Sequence, residues 1–150
     1  MERLNITPNW MARRLGGSST GLPDIVATNN VTGVLLAIEC KSTAGNAVYV
    51  PPDQVERCVE VCKMFSYYKE RHVIFAFKFM RNENRRLRYW FKRADTVMIV
   101  CSSDMKIPTY RCDYDGKVYE IGVEGKKAEL ADYILDFPDF RELMGRASTI

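Results

Sequence analysis

The sequence lacks any apolar run near the roughly 20 residues that a membrane-spanning helix needs, and it contains one histidine in 150 residues. Its amino-terminal stretch has no apolar core of the kind found in a secretory signal peptide, so we expect a cytoplasmic protein with no membrane partner. The histidine, His72, starts an apolar run, which favours a structural role. These absences argue against a membrane protein and against a site built from several histidines.

Cysteine is present but does not form a recognisable framework. The five residues are odd in number, and no spacing between them and His72 matches a zinc finger. Most of them lie in apolar runs, and two are four residues apart on a predicted helix. We therefore predict reduced, structural thiols rather than disulfides or zinc ligands. The cysteines are Cys40, Cys58, Cys62, Cys101 and Cys112.

The composition is that of a globular protein with an uneven charge distribution. The chain is 47% apolar and 27% charged, and its length suits a single domain. Its net charge is +3, but residues 1–109 carry a net +6 and residues 110–150 a net −3. A basic amino-terminal part is expected of a protein whose partner is a polyanion such as DNA.

The most informative stretch covers residues 16–42, where two apolar β-type runs each carry acidic residues at an edge. The first run follows Pro23 and Asp24, and the second contains Glu39 and Lys41. Residues 28–33, rich in Asn, Thr and Gly, are typical of a hairpin turn between them. An antiparallel hairpin of this length can bring Asp24 beside Glu39.

Strand alternation decides which side chains share a face in the second run. Glu39 and Lys41 lie on the same side as Leu35, whereas Cys40 lies on the opposite side. Two carboxylates held side by side repel each other unless a cation lies between them, and oxygen ligands suit Mg²⁺ or Mn²⁺. The ammonium group of Lys41 can then orient a water molecule or neutralise a phosphate. An ordinary hairpin with surface charges is the alternative interpretation.

This pattern resembles the PD-(D/E)xK nuclease superfamily, through Pro23 and Asp24 followed by Glu39 and Lys41. From Arg13 to about Cys101 the order of motifs resembles the archaeal-type Holliday junction resolvases in particular. The resemblance includes arginines before a Gly-Gly-Ser loop, the Val-Tyr-Val run before a helix, and an arginine-rich hairpin. It implies an α/β, restriction-endonuclease-like fold with a central mixed β-sheet flanked by helices. It also implies a homodimer that binds branched double-stranded DNA at a four-way junction.

The same resemblance implies a set of catalytic and metal-binding residues. Asp24 and Glu39 correspond to metal ligands, joined by the backbone carbonyl of Cys40, and Lys41 corresponds to the catalytic lysine. Ser18 corresponds to a serine near the scissile phosphate. Family members also use a glutamate on the first helix, for which Glu2 is the candidate here. The implied activity is Mg²⁺-dependent hydrolysis of DNA phosphodiester bonds, with Mn²⁺ as a possible substitute.

Further residues are candidates for contacts to DNA. The loop that follows the two arginines exposes backbone N–H groups and hydroxyls, which can bind a phosphate. One glutamine lies in the first turn of the next predicted helix, and an arginine-rich turn follows the central strand. A solvated turn is the alternative for the last feature. The candidates are Arg13, Arg14, Ser19, Gln54, Arg81, Arg85 and Arg86.

The remaining elements are predicted from periodicity. We expect a strand over residues 47–50, a helix capped by Asp53 that runs to about Tyr68 with Met64 and Phe65 on its apolar face, and a central strand over 72–79. Further strands are expected over 87–91 and 96–101, a hairpin over 110–121 and a helix over 128–135. Residues 1–104 are predicted to form the nuclease core, and residues 105–150 an extension of the same domain.

Three alternatives to a junction resolvase remain open from the sequence. The chain can be another nuclease of the superfamily that cuts flaps, ends or linear duplex, because the motif is shared. It can also be a DNA-binding subunit that retains the fold without catalysis, although Asp24, Glu39 and Lys41 argue against this. The third alternative is an α/β domain with no nucleic-acid role.

Overall fold

The computed structural model describes residues 2–5, 8–16, 20–94, 107–121 and 130–132, and all structural statements below concern these parts of the chain. A six-stranded mixed sheet has the order β1-β2-β3-β5-β6-β9, and a three-stranded sheet has the order β4-β7-β8. The strands are β1 Trp10–Arg14, β2 Ile25–Asn29, β3 Val34–Thr43, β4 Ala47–Val50, β5 Glu70–Phe79, β6 Arg88–Arg93, β7 Thr109–Asp113, β8 Val118–Ile121 and β9 Ala131–Asp132. The helices are α1 Glu2–Asn5 and α2 Pro52–Met64.

The large sheet is mixed, as predicted, because β3 and β5 are parallel while its other neighbouring strands are antiparallel. A parallel pair needs a long crossover connection, which here contains β4 and α2. The predicted central strand is confirmed as β5, which lies between β3 and β6 and buries side chains on both faces. Strand β1 was not predicted.

Two clusters of buried side chains lie on opposite faces of the large sheet. On one face, α2 and the three-stranded sheet pack against Leu35, Val73 and Phe75. On the other face, Leu4 of α1 packs with Leu36 and Ile74. The alternation predicted for β3 is therefore confirmed. The prediction that helices flank the sheet holds for α1 and α2, but the three-stranded sheet covers part of the α2 face.

Helix α2 differs from its predicted boundaries at both ends. Its N-cap residue is Pro51 rather than Asp53, because Pro52 lacks an N–H and suits the first helical position. The Asp53 carboxylate instead pairs with Arg57, at 3.4 Å. The helix ends at Met64, not near Tyr68, and its predicted apolar face is wrong there, since Met64 is 69% exposed and Phe65 43%. The buried side is formed by Val55, Cys58, Val59, Val61 and Cys62.

The carboxyl-terminal elements differ in part from the prediction. The hairpin around Gly116 is confirmed as β7 and β8, and β7 pairs with β4. Ala131 and Asp132, predicted as helical, form the short strand β9 beside β6, where the Asp132 carboxylate accepts a hydrogen bond from Lys92. This tertiary pairing overrides the local helical pattern. The strand predicted over 96–101, with Cys101, and the rest of the predicted helix over 128–135 lie outside the described residues.

The described cysteines are reduced thiols, and the described helices are short. Cys40, Cys58, Cys62 and Cys112 are free of disulfides, as predicted. Burial raises the pKa of Cys58 well above its usual value, so this thiol stays protonated at neutral pH. Within the described residues, neither helix is long and apolar enough to cross a membrane.

Gly116 offers a test of how the β7–β8 turn packs against the large sheet. Its φ is +88°, and an added Cβ would lie 2.7 Å from the Trp90 ring, whose Nε1 donates to the Tyr114 carbonyl. We expect Gly116→Ala to lower the free energy of unfolding by more than about 2 kcal/mol, from backbone strain plus this clash. Gly21→Ala is the control, since Gly21 also has positive φ but nothing within 4 Å. Equal losses in urea denaturation would contradict the packing contribution.

Candidate active site

The β2–β3 hairpin sets the spacing of the predicted carboxylates. Its turn is closed by Asn29, whose Oδ1 accepts hydrogen bonds from the N–H groups of Val31 and Thr32, both at 3.1 Å. Gly33, at φ +76°, completes the turn. With this turn fixed, Ile25 pairs with Ile38, so Asp24 is the next residue opposite Glu39. The predicted juxtaposition of Asp24 and Glu39 is present in the structure.

Two backbone contacts hold Asp24 at the end of β2. Its Oδ2 accepts a hydrogen bond from the Cys40 N–H at 2.8 Å, and its carbonyl accepts one from the Leu15 N–H at 3.0 Å. The first contact ties the carboxylate to β3, and the second ties the residue to the end of β1. Asp24 is therefore positioned by three consecutive strands rather than by its own loop.

Glu39 is buried on the α2 side of β3, with 5% of its surface exposed. Its pKa is raised from 4.5 to about 7, first by burial and then by the charge of Asp24 and a side-chain hydrogen bond with it. Lys41 and Arg57 lower this pKa in part, and the Lys41 Nζ lies 3.9 Å from the Glu39 Oε1. The Glu39 carboxyl group is therefore partly protonated at neutral pH.

The donor set fits a hard divalent cation. A cation between Asp24 and Glu39 would displace the Glu39 proton and offset the repulsion that helps to raise the Glu39 pKa. The Cys40 thiol is a poor ligand, because desolvation, followed by the charges of Asp24 and Glu39, raises its pKa to about 11. Only its backbone carbonyl is a suitable oxygen donor. Across the described ranges there is no cluster of three or more His, Cys, Asp or Glu side chains that could hold a metal ion.

A cleft opens beside Asp24, and Glu39 is not among its lining residues. This cleft of about 320 Å³ is lined by Arg14, Gly16, Asp24, Ile25 and Cys40. Arg13, on the same strand, is exposed, and its Nη1 donates to the Ala12 carbonyl at 2.8 Å. Arg14 therefore lies at the candidate site, while Arg13 lies beside it on the surface.

Three predicted site residues have no described side-chain position. Ser18 and Ser19 lie outside the described residues, although the loop that carries them joins β1 to Asp24. Glu2 begins α1, but its side chain is also outside the described part. Helix α1 itself is docked on β1, since the Asn5 side chain exchanges two hydrogen bonds with the Ala12 backbone, at 2.8 and 3.2 Å.

Helix α2 contributes one predicted and one unpredicted residue. Gln54, in the first turn, has a buried Oε1 with no hydrogen-bond partner among the described residues. Arg57, one turn further along, lowers the Glu39 pKa through its charge. Arg57 was not predicted. Its spacing of three residues from Gln54 would place both on one helix face, but the sequence does not show which face meets Glu39.

The predicted basic turn between β5 and β6 contains two kinds of arginine. Arg81 and Arg86 are exposed and line a cleft of about 540 Å³ at the turn. Arg85 instead donates to the carbonyls of Gly45, at 2.6 Å, and Met80, at 3.1 Å. Its guanidinium group also lies 4.9 Å from the centroid of the Tyr114 ring. The structure therefore places Arg85 in contacts within the protein and leaves the other two facing solvent.

Comparison with known proteins identifies the family of this chain. A model of the archaeal Holliday junction resolvase (Hjc) family matches residues 10–108. The chain belongs to this family. The matched region contains β1 to β6 and every described candidate active-site side chain: Asp24, Glu39, Lys41, Arg14, Gln54 and Arg57.

The chain is also similar to one named viral protein and to one solved structure. One, from Sulfolobus islandicus rod-shaped virus 1, is named a crossover junction endodeoxyribonuclease. It is 30% identical over 96 residues, covering 55% of this chain and 78% of that protein. The structure of Archaeoglobus fulgidus Hjc, a Holliday junction resolvase from an archaeal hyperthermophile, is 23% identical. It aligns with a TM-score of 0.47 over 72% of this chain and 76% of that chain.

The raised Glu39 pKa predicts an unusual pH dependence of stability in metal-free protein. The folded state keeps the Glu39 proton up to about pH 7, whereas the unfolded state loses it near pH 4.5. The contribution of Glu39 to stability is therefore most favourable below pH 4.5 and is lost as the pH rises to about 7. We expect a loss of about 2–3 kcal/mol in the free energy of unfolding from this group. Urea denaturation with a chelator, at about pH 5 and pH 8, measures it.

Glu39→Gln should lack this pH-dependent loss, because the amide does not titrate. Glu56→Gln, a change at an exposed position of α2, is the matched control and should keep it. An identical pH dependence in wild type and Glu39→Gln would show that Glu39 does not carry the effect.

Proposed function

We propose that this chain is a divalent-metal-dependent endonuclease that cleaves four-way DNA junctions as a homodimer. The observation that carries the proposal is the pair formed by the half-buried Asp24 and the buried Glu39, with the Lys41 Nζ 3.9 Å from Glu39, in a chain of the resolvase family. The viral relative is named for cleavage at crossover junctions, which supports the same substrate class.

Asp24, Glu39 and the Cys40 carbonyl would hold Mg²⁺, for which Mn²⁺ can substitute. A bound divalent ion supplies Lewis-acid stabilisation of negative charge on a phosphate and activates water. The protein contributes a fixed Asp24, whose Oδ2 is held by the Cys40 N–H at 2.8 Å. It also contributes a Glu39 whose proton is readily displaced by a cation at neutral pH, because its pKa is already near 7.

Lys41 acts beside this carboxylate pair as a cation. Its side chain is 22% exposed, so its ammonium group can contact a phosphate from solvent while remaining close to Glu39. We propose that its ammonium group binds a phosphate oxygen at the scissile bond and orients the attacking water. Ser18 and Glu2 stay proposed members of this site, as a phosphate contact and a further carboxylate.

We propose that arginines bind the DNA away from the scissile bond, through contacts that do not depend on base sequence. Arg13, Arg14, Arg81 and Arg86 lie on exposed surfaces or at the cleft. Such side chains bind backbone phosphates through charge, which makes affinity strongly dependent on salt. Gln54 and Ser19 stay proposed polar contacts to DNA.

The homodimer follows from the symmetry of the substrate. Resolving a four-way junction takes two cuts in strands related by a two-fold axis, and one active site cannot make both at once. Two copies related by a two-fold axis present two sites in the matching arrangement. We therefore expect the active species to be a dimer.

Removing either carboxylate should abolish cleavage while leaving DNA binding largely intact. We expect Asp24→Asn and Glu39→Gln to lower the cleavage rate of a labelled four-way junction by at least about 10³-fold, since metal binding contributes several kcal/mol to charge stabilisation. Glu56→Gln is the matched control, because Glu56 is an exposed carboxylate on α2. Cutting by either site variant at the wild-type rate would refute the assignment. Binding without cutting by the wild type would favour the non-catalytic subunit.

The arginines of the β5–β6 turn should separate into binding and structural residues. Arg81→Ala and Arg86→Ala are expected to weaken junction binding and to reduce the slope of log Kd against log salt by about 1 each. Arg85→Met is expected to leave the slope unchanged and to lower the free energy of unfolding by about 1–2 kcal/mol, because it removes backbone hydrogen bonds. Fluorescence anisotropy over a salt series, with urea denaturation, tests both. An altered slope for Arg85→Met alone would reverse the assignment.

A further inference from the structure

The face of the large sheet opposite α2 carries an exposed set of aromatic and basic side chains beside the active site. Strand register places them in rows across β3, β5 and β6: Cys40 beside Ala76 beside Phe91, and Ser42 beside Lys78 beside Tyr89. Because paired residues of neighbouring strands share a face, all six side chains lie on one side. We call these six residues, together with Arg93 on the same face of β6, the aromatic face.

The aromatic face begins where the apolar cluster under α1 ends. Leu4 of α1 packs with Ile38 and Ile74, which form the row directly before Cys40 and Ala76. Beyond that row, Cys40, Ser42 and Lys78 are exposed, and Tyr89 retains 43% of its surface. Among the described residues, no helix or strand covers this end of the sheet face.

Tyr89 and Phe91 present ordered rings on this surface. Their ring planes are parallel within 2°, with centroids 6.5 Å apart. The Lys78 Nζ lies 6.0 Å from the centroid of the Tyr89 ring. Aromatic rings fixed beside a cation are the usual elements of a surface on which nucleic-acid bases stack, because every base has a π face.

The charge of the aromatic face selects a polyanion. Its exposed cation is Lys78, and none of its seven residues is a carboxylate. A second copy of the chain would oppose like charges across a two-fold axis, which is unfavourable. DNA supplies the opposite charge together with bases.

The aromatic face is continuous with the site at one end and with the basic turn at the other. The Cys40 N–H donates to Asp24, and the Cys40 row reaches Phe91 after two strand spacings, about 10 Å. Lys78 and Tyr89 lie on the strands joined by the turn that carries Arg81 and Arg86. A DNA strand that contacts both the cleft and this turn passes next to the aromatic face.

We propose that Tyr89 and Phe91 stack on unstacked bases at the branch point of the DNA substrate. This inference rests on the proposed function and adds to it the means by which branched DNA is distinguished from duplex. Bases at a branch point lose a stacking neighbour, whereas bases inside a duplex keep both. A ring on the protein can therefore replace the missing neighbour at a branch but gains nothing on a linear duplex.

The test measures binding of wild type and Tyr89→Leu to three DNAs of one sequence: a four-way junction, a linear duplex and a single strand. Chelator prevents cleavage, and a 2-aminopurine next to the branch point reports base stacking by fluorescence. Leucine keeps apolar bulk on β6 but removes the ring. Tyr67→Leu is the matched control, because Tyr67 is 97% exposed and follows α2 rather than belonging to the aromatic face. Phe91→Leu provides a second variant.

We expect Tyr89→Leu to weaken binding to the junction and the single strand by about five-fold or more, and to leave duplex binding and the salt slope unchanged. The 2-aminopurine quenching seen with wild type should decrease, and Tyr67→Leu should behave as wild type. Equal losses on all three DNAs, or no loss on any, would overturn the inference.

A change in sedimentation of Tyr89→Leu would also overturn it, because the aromatic face would then be a contact between copies. The inference and the proposed function can fail separately. Cleavage of the junction by wild type tests the proposed function, whereas the ring-dependent difference between single strand and duplex tests stacking even if junctions are not cut.

Discussion

The candidate site depends on the register of one antiparallel pair, β2 against β3. Pairing of Ile25 with Ile38 brings Asp24 opposite Glu39, and a hydrogen bond of 2.8 Å from the Cys40 N–H fixes the Asp24 carboxylate. A slip of one residue would move Glu39 to the other sheet face, away from α2 and Arg57. The Asn29 and Gly33 turn is therefore as important to the site as the acidic residues themselves.

This register places two carboxyl groups side by side, which is electrostatically unfavourable. Burial and the nearby Asp24 raise the pKa of Glu39 to about 7, and Lys41 and Arg57 offset only part of the effect. Such a pair is unfavourable in a protein that only has to fold, since replacing one carboxyl by an amide would remove the repulsion. It is favourable in a protein that binds a divalent cation, because the cation stabilises both charges.

Around this pair, the strands divide the surface into regions with different chemistry. One face of β3 carries Glu39 and Lys41 toward α2, and the other carries Cys40 and Ser42 toward the aromatic face. The basic turn at the end of β5 is held by Arg85 and Tyr114, which connect it to the β3–β4 loop and to the β7–β8 turn. The same alternation that builds the core thus places Glu39 and Lys41 of the candidate site on one face of β3 and the surface proposed to bind bases on the other.

The sequence by itself determined the features that depend on neighbouring residues. Period-two alternation indicated the faces of β3, the Asn and Gly content indicated the hairpin turn, and these together predicted the pairing of Asp24 with Glu39. The central strand β5 followed from its apolar residues on both faces. These predictions succeeded because hairpin register and strand alternation are local properties.

Only the tertiary structure decided the features that depend on distant contacts. Arg85 resembles Arg81 and Arg86 in sequence, but contacts with Gly45 and Tyr114 from other elements make it structural. Arg57 acts on Glu39 because α2 packs against β3 with that helix face inward. Ala131 and Asp132 form a strand because β6 offers an edge to pair with. The residues of a helix do not determine which of its faces packs against the sheet, and the residues of an edge strand do not determine its partner. Both depend on contacts with elements that are distant in the sequence.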